Sequence, residues 1–111
     1  MVLLGLVALS LPVAAQQNPY TGNEVLPGCR TILNDRATLD FKAGLCAGMV
    51  QSLLVAGSII KPEFEICPPK LITLEQAIRV VVASADKNSQ DTHKGFHVLV
   101  MIALLNAWPC K

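Results

Sequence analysis

Four cysteines, Cys29, Cys46, Cys67 and Cys110, constrain this chain most, because they follow an N-terminal apolar run that ends in Pro12-Val13-Ala14-Ala15. The run from Val2 to Ala15 is uncharged and too short to span a bilayer as a mature helix. Val13 and Ala15 supply the small residues that a signal peptidase needs. Residues 1–15 are therefore expected to be a signal peptide cleaved after Ala15, leaving residues 16–111 in the periplasm or secreted. Met1-Val2 brings no Lys or Arg, so the free amino group alone orients the segment, as it would if the start codon were placed too far downstream. An even number of cysteines in a short exported chain reads as a disulfide framework, with three possible connectivities. Structural zinc is the competing reading, but its ligands come in close pairs such as Cys-x-x-Cys, and none occurs here.

Residues 16–111 suffice for one helical domain and not for two, and their core covers only a modest share of the surface, so covalent crosslinks matter. Lys plus Arg (9) nearly balances Asp plus Glu (8), which leaves no electrostatic footprint for nucleic acid or an anionic membrane. Aromatics make up only 5%, and the apolar content is mostly Ala, Val, Leu and Ile, which suits packed helices. No internal repeat is present.

Gln16 to Gly22 is polar and broken by Pro19 and Gly22, so it is expected to be an extended, mobile arm. Asn23 is the expected cap of a first helix carrying Val25, Leu26, Cys29, Ile32 and Leu33, with Pro27 in its first turn. Asn34-Asp35-Arg36 ends it. Asp40 caps a second helix in which no charge falls between Ala43 and Ile60, so it is expected to be buried nearly all round. Gly44 and Gly48 raise the alternative of a membrane span, but Gln51, Ser52 and Ser58 lower its hydropathy and no Trp or Tyr marks its ends. In a bundle those two glycines would let a neighbouring helix approach. Lys61-Pro62 stops this helix, and Pro68-Pro69 keeps Glu63 to Leu71 a loop. Thr73 and Gln76 form a capping box for a third helix with Ala77, Ile78, Val81, Val82 and Ala85 inward. Asp86 to Asp91 is a polar turn. Asp91 or Thr92 is the expected cap of a fourth helix, with Phe96, Leu99, Val100, Ala103, Leu104, Ala107 and Trp108 on one face until Pro109.

The pattern predicts an all-α fold, a small antiparallel bundle of about four helices stapled by two disulfides. Antiparallel neighbours bring Cys29 level with Cys46 across the turn near Thr38. Cys67 just precedes the third helix and Cys110 just follows the fourth, so the same hairpin geometry predicts Cys67 with Cys110.

Catalytic chemistry is thin. His93 and His97, four apart, would share a helix face as a metal pair, but Lys94 stands where a zinc protease needs Glu and no third ligand is evident. No serine lies in a nucleophile elbow, and oxidised cysteines offer no thiolate. Asp35 and Asp40 flank a turn and read more simply as a solvated charged turn than as acid and base. The chain is expected to be no enzyme, with no cofactor and no bound metal.

Five segments carry a resemblance: Leu26-Pro27-Gly28-Cys29-Arg30, Ala43 to Met49, Phe64-Glu65-Ile66-Cys67-Pro68, Ile72 to Val82, and Ala107-Trp108-Pro109-Cys110. Together they resemble the Rap/Tai-type family, resistance-associated immunity proteins that protect bacteria against amidase effectors of type VI secretion. The resemblance covers nearly all of residues 16–111 and lies in the order of the four cysteines with their flanks. It implies a small disulfide-bonded helical protein of the periplasm, often a homodimer, that binds and blocks a peptidoglycan amidase. In the family the fourth helix commonly opens with a His followed shortly by Pro and Ala; His93-Lys94-Gly95-Phe96 departs from that pattern. Within the loop from Lys61 to Lys70, the residues expected to face a partner are Lys61, Glu63, Phe64 and Glu65. A periplasmic stress protein or acid-activated chaperone of similar helical fold is the alternative, and a lipid or small-ligand carrier would need a cavity.

Overall fold

Thr21 opens the first helix, α1 (Gly22–Asn34), because its hydroxyl accepts from the Glu24 amide. The computed structural model describes Gly5, residues 20–60 and residues 62–111. Apart from Gly5, the expected signal peptide, its cleavage site and residues 16–19 lie outside the described residues. The expected cap, Asn23, is instead the second residue of the helix. Long-range bonds move the start forward: the amides of Gly22 and Asn23 donate to the carbonyls of Lys94 (2.9 Å) and Thr92 (2.8 Å). These bonds satisfy first-turn donors that would otherwise lack partners. Pro27 consequently sits inside the helix rather than in its first turn. The end of the expected mobile arm is also tied down, since the Phe96 amide donates to the Tyr20 carbonyl at 2.8 Å and Gly22 is buried.

Asp40 caps α2 (Phe41–Ile59) as expected, its carboxylate accepting from the Ala43 amide at 2.9 Å. Gly28 brings α1 against the start of α2. A Cβ there would meet the Lys42 carbonyl and the Ala43 nitrogen, which are backbone and cannot turn aside. Next to this approach Cys29 joins Cys46, with 5.4 Å between their Cα atoms and both side chains fully buried.

The expectation that α2 is buried nearly all round is wrong. The helix is long and apolar enough to cross a membrane by length and composition, yet only 22% of its apolar window is buried. Ala43, Cys46, Val50 and Gly57 face inward. Phe41 (71% exposed), Val55 and Ile59 (70%) face out, with Gly44 and Gly48 between them along the same side. Those two glycines do not seat a neighbouring helix, because a Cβ on either would meet nothing within 4 Å. Gly57 makes the close contact instead, under the Ile66 side chain.

The expected capping box starts α3 (Leu74–Lys87). The Thr73 amide donates to Gln76 Oε1 at 2.8 Å and the Gln76 amide to Thr73 Oγ1 at 3.1 Å. All five expected inward residues, Ala77, Ile78, Val81, Val82 and Ala85, are buried. After a 3-10 turn at Ser89–Asp91, α4 (Phe96–Ala107) begins later than expected, with Gly95 at its cap and no capping side chain. Neither Asp91 nor Thr92 caps it, because the backbone from Thr92 to Lys94 is engaged by the start of α1. Phe96, Leu99, Val100, Ala103 and Leu104 are buried; Ala107 is exposed.

The four helices form one all-α arrangement, and among the described residues no strand occurs. Phe64 and Ile66, from the segment between α2 and α3, join the core with the inward faces of all four helices. Burying a side chain such as Ile78, Phe96 or Leu104 contributes roughly 1.5–3 kcal/mol. Cys67 joins Cys110 with 5.0 Å between Cα atoms, so both expected disulfides are present. Two ion pairs tie α3 to the first hairpin: Arg30 with Asp86 at 2.6 Å, and Arg36 with Glu75, which also takes Arg79 at 2.8 Å. These pairs are largely exposed and each contributes little.

Candidate partner-binding site

Among its described residues the segment between Ile60 and Thr73 has no helix of its own, so its shape comes from where it is fastened. The Phe64 amide donates to the Ile60 carbonyl (3.1 Å) and the Ile66 amide to that of Gly57 (3.3 Å), folding the chain back over the end of α2. The Cys67 amide then reaches the Trp108 carbonyl at 2.9 Å, and Ile66 pairs with Pro109 in an isolated antiparallel bridge. The Cys67–Cys110 disulfide lies beside these contacts. Pro68 and Pro69 keep the next residues extended, and the capping box at Thr73 closes the far side.

The structure sorts the expected partner-facing residues. Glu63 is exposed and Glu65 is partly so. Phe64 is not a surface residue: at 3% exposure it packs into the core, because the fold-back over Gly57 turns its ring inward. Truncating it would therefore disturb the fold together with any interface. Lys61 lies outside the described residues. A carboxylate oxygen of Glu65 and both sulfurs of the Cys67–Cys110 pair lie within 4.8 Å of one another, and each sulfur is already bonded to the other.

Leu71 escaped the sequence reading. It stands 97% exposed with φ of 65°, the positive-φ position among the described non-glycine residues. The left-handed conformation costs a residue with a Cβ roughly 1–2 kcal/mol, so it persists only where the flanks over-determine it. No local signal in Lys70-Leu71-Ile72 marks it, since glycine or asparagine is the usual sign of such a turn.

Two other candidates, Asp40 and Asp35, hold backbone and side-chain partners of their own. Asp40 caps α2, and the Asp35 carboxylate accepts from Thr38 Oγ1 at 2.9 Å within the turn. His93 lies in the turn before α4, its Nδ1 3.1 Å from the Gln90 carbonyl, so it shares no helix face with His97. The late start of α4 separates them. His97 instead borders a shallow groove of about 360 Å³ against Gly44, Gly48, Met49 and Leu53 of α2. On the other side of the glycine stripe, Ile32, Leu39, Ala43, Leu74 and Ile78 line an apolar groove of about 390 Å³ with Arg36 and Glu75 at its edge. The Arg30 hydrogen bond holds the Asp86 carboxyl below its ordinary range, and Asp86 in turn raises Arg30.

This surface offers a fastened loop with an apolar tip and open grooves along α2, while Asp35, Asp40, Glu75 and Asp86 are engaged in capping and pairing. Compared with known families, residues 21–110 match the family described as Rap1a immunity proteins. No curated protein and no solved structure matches the chain.

Proposed function

We propose a function from one premise: this chain belongs to the Rap1a immunity protein family. Members of such a family bind a cognate effector, and we read this protein as a periplasmic inhibitor of a peptidoglycan amidase delivered by type VI secretion. It works by occupying a surface of the effector, and it turns over no substrate. The disulfides suit a compartment outside the reducing cytosol, in agreement with residues 1–15 acting as a signal peptide and residues 16–111 as the mature domain. The family match over residues 21–110 carries the reading. The loop with Lys61, Glu63 and Glu65 is its proposed effector-facing surface, while Phe64 braces that loop from beneath.

A homodimer belongs to the same reading. Phe41, Val55 and Ile59, with Gly44 and Gly48 between them, form an uncovered stripe along α2 that a second copy could bury. Light scattering reads the mass directly, and Val55→Asp should convert a dimer to a monomer.

The deciding experiment mixes purified mature protein with the secreted amidase encoded beside its gene. A stoichiometric complex by calorimetry, with peptidoglycan cleavage suppressed, is the expected result. No binding to any neighbouring amidase would remove the immunity reading. The same exposed α2 stripe favours one other reading, an acid-activated chaperone. That reading requires the wild type to suppress client aggregation at acidic pH and to bind no amidase.

A further inference from the structure

A single exposed leucine on a protein surface is ordinary. Leu71 is not ordinary, because three observations meet there. Its side chain is 97% exposed, so packing within the chain does not account for leucine at this position. Its backbone adopts φ of 65°, where glycine or asparagine would sit with less strain, so the loop conformation does not account for it either. Its flanks are pinned: Cys67 is bonded to Cys110 and to the Trp108 carbonyl on one side, Pro68 and Pro69 follow, and the Thr73–Gln76 capping box holds the other side. A tip fastened in this way loses little conformational freedom when it is buried against something else. The adjacent Lys70 is exposed and has no ion-pair partner among the described residues.

We infer that Leu71 is the apolar anchor of the effector interface, inserting into an apolar socket on a folded protein partner, with Lys70 meeting a carboxylate at the rim of that socket. The inference rests on the immunity reading above and specifies its contact. A folded socket fits better than a lipid surface: one leucine and one lysine bury too little to hold a membrane, and Glu63 on the same loop is exposed and would repel anionic headgroups. Interfaces concentrate their affinity in a few rigid, desolvated anchors of this sort.

Calorimetry with the secreted amidase encoded beside the gene, on the wild type first and then on three variants, tests the inference. Leu71→Asn keeps the left-handed turn and removes the apolar side chain, so the melting temperature should hold or rise while affinity falls at least tenfold. Leu71→Met should keep most of the affinity, since it restores apolar volume. Lys70→Glu should lower the affinity, most strongly at low salt. If Leu71→Asn binds within twofold of the wild type, the anchor is wrong and the immunity reading stands. If it loses binding together with a clear drop in melting temperature, Leu71 has a structural role and the anchor is likewise wrong. If the wild type itself does not bind, the immunity reading fails and the anchor fails with it.

Discussion

The two hairpins of this protein are each closed by a disulfide, and the two closures work differently. Cys29 and Cys46 lie fully buried where Gly28 lets α1 meet the backbone at the start of α2, so that crosslink is also core packing. In the second closure Cys67 is exposed and Cys110 half-buried, beside a backbone bond to Trp108. Loop length ranks them oppositely. Sequence separations of 17 and 43 residues give about 3 and about 4 kcal/mol on the chain-entropy model. Position in the core is expected to outweigh the entropy of loop closure.

The largest expected effect separates those two terms. Replacing Cys29 and Cys46 together by Ala should cost about 5 kcal/mol in denaturant unfolding, from lost closure plus two buried sulfurs. Replacing Cys67 and Cys110 by Ser should cost about 4 kcal/mol or less, since little packing is lost. A reversed order would break the comparison and make loop length the governing quantity. Mild reduction with thiol mapping sharpens it, because Cys67 and Cys110 should be alkylated well before Cys29 and Cys46. Next in size, Gly28→Ala should cost about 2 kcal/mol, since the Lys42 backbone in its way cannot rotate aside. A near-neutral result would mean that the α1–α2 approach is looser than it looks.

The smallest effect concerns the joint between the hairpins. Asp86 titrates below its ordinary range because Arg30 hydrogen-bonds the ionised form. Its contribution is therefore present above the ordinary carboxylate range and is lost as pH falls through the lowered value. Asp86→Asn should flatten the acid limb of the stability profile, measured by unfolding at successive pH values. An unchanged limb would mean that this exposed pair adds nothing to the joint.

What was legible in the sequence was local. The capping box at Thr73, the Asp40 cap and the inward stripe of α3 need only neighbours a few residues away, and each is found where the pattern puts it. Both disulfides followed from hairpin geometry. Errors fell where distant segments decide. Thr21 rather than Asn23 starts α1, and α4 starts late, for one shared reason: residues 20–23 and 92–96 bond to each other across the chain. The apolar run of α2 suggested full burial because composition does not reveal that Phe41, Val55 and Ile59 share a side that no neighbouring helix covers. Phe64 looked like a surface residue because nothing nearby in sequence reports that Gly57 makes room for the fold-back above it. Leu71 left no trace, because a left-handed leucine is held by its flanks and not by its own preference.

Pairing neighbours in chain order has a consequence for how the molecule is made. If the chain emerges N-terminus first into an oxidising space, Cys46 appears while Cys29 is the sole earlier thiol of the four, and an oxidant that takes two electrons from that pair leaves Cys67 and Cys110 as the two thiols still to be joined. An oxidant that joins thiols as they appear thus produces both native bonds with no later exchange, whereas either alternative pairing requires Cys29 to wait past its nearer partner. The first hairpin can be closed before α3 has left the translocation channel. The second cannot close until Cys110 is out, so α3 and α4 must both be delivered before the loop that carries Leu71 is held in place.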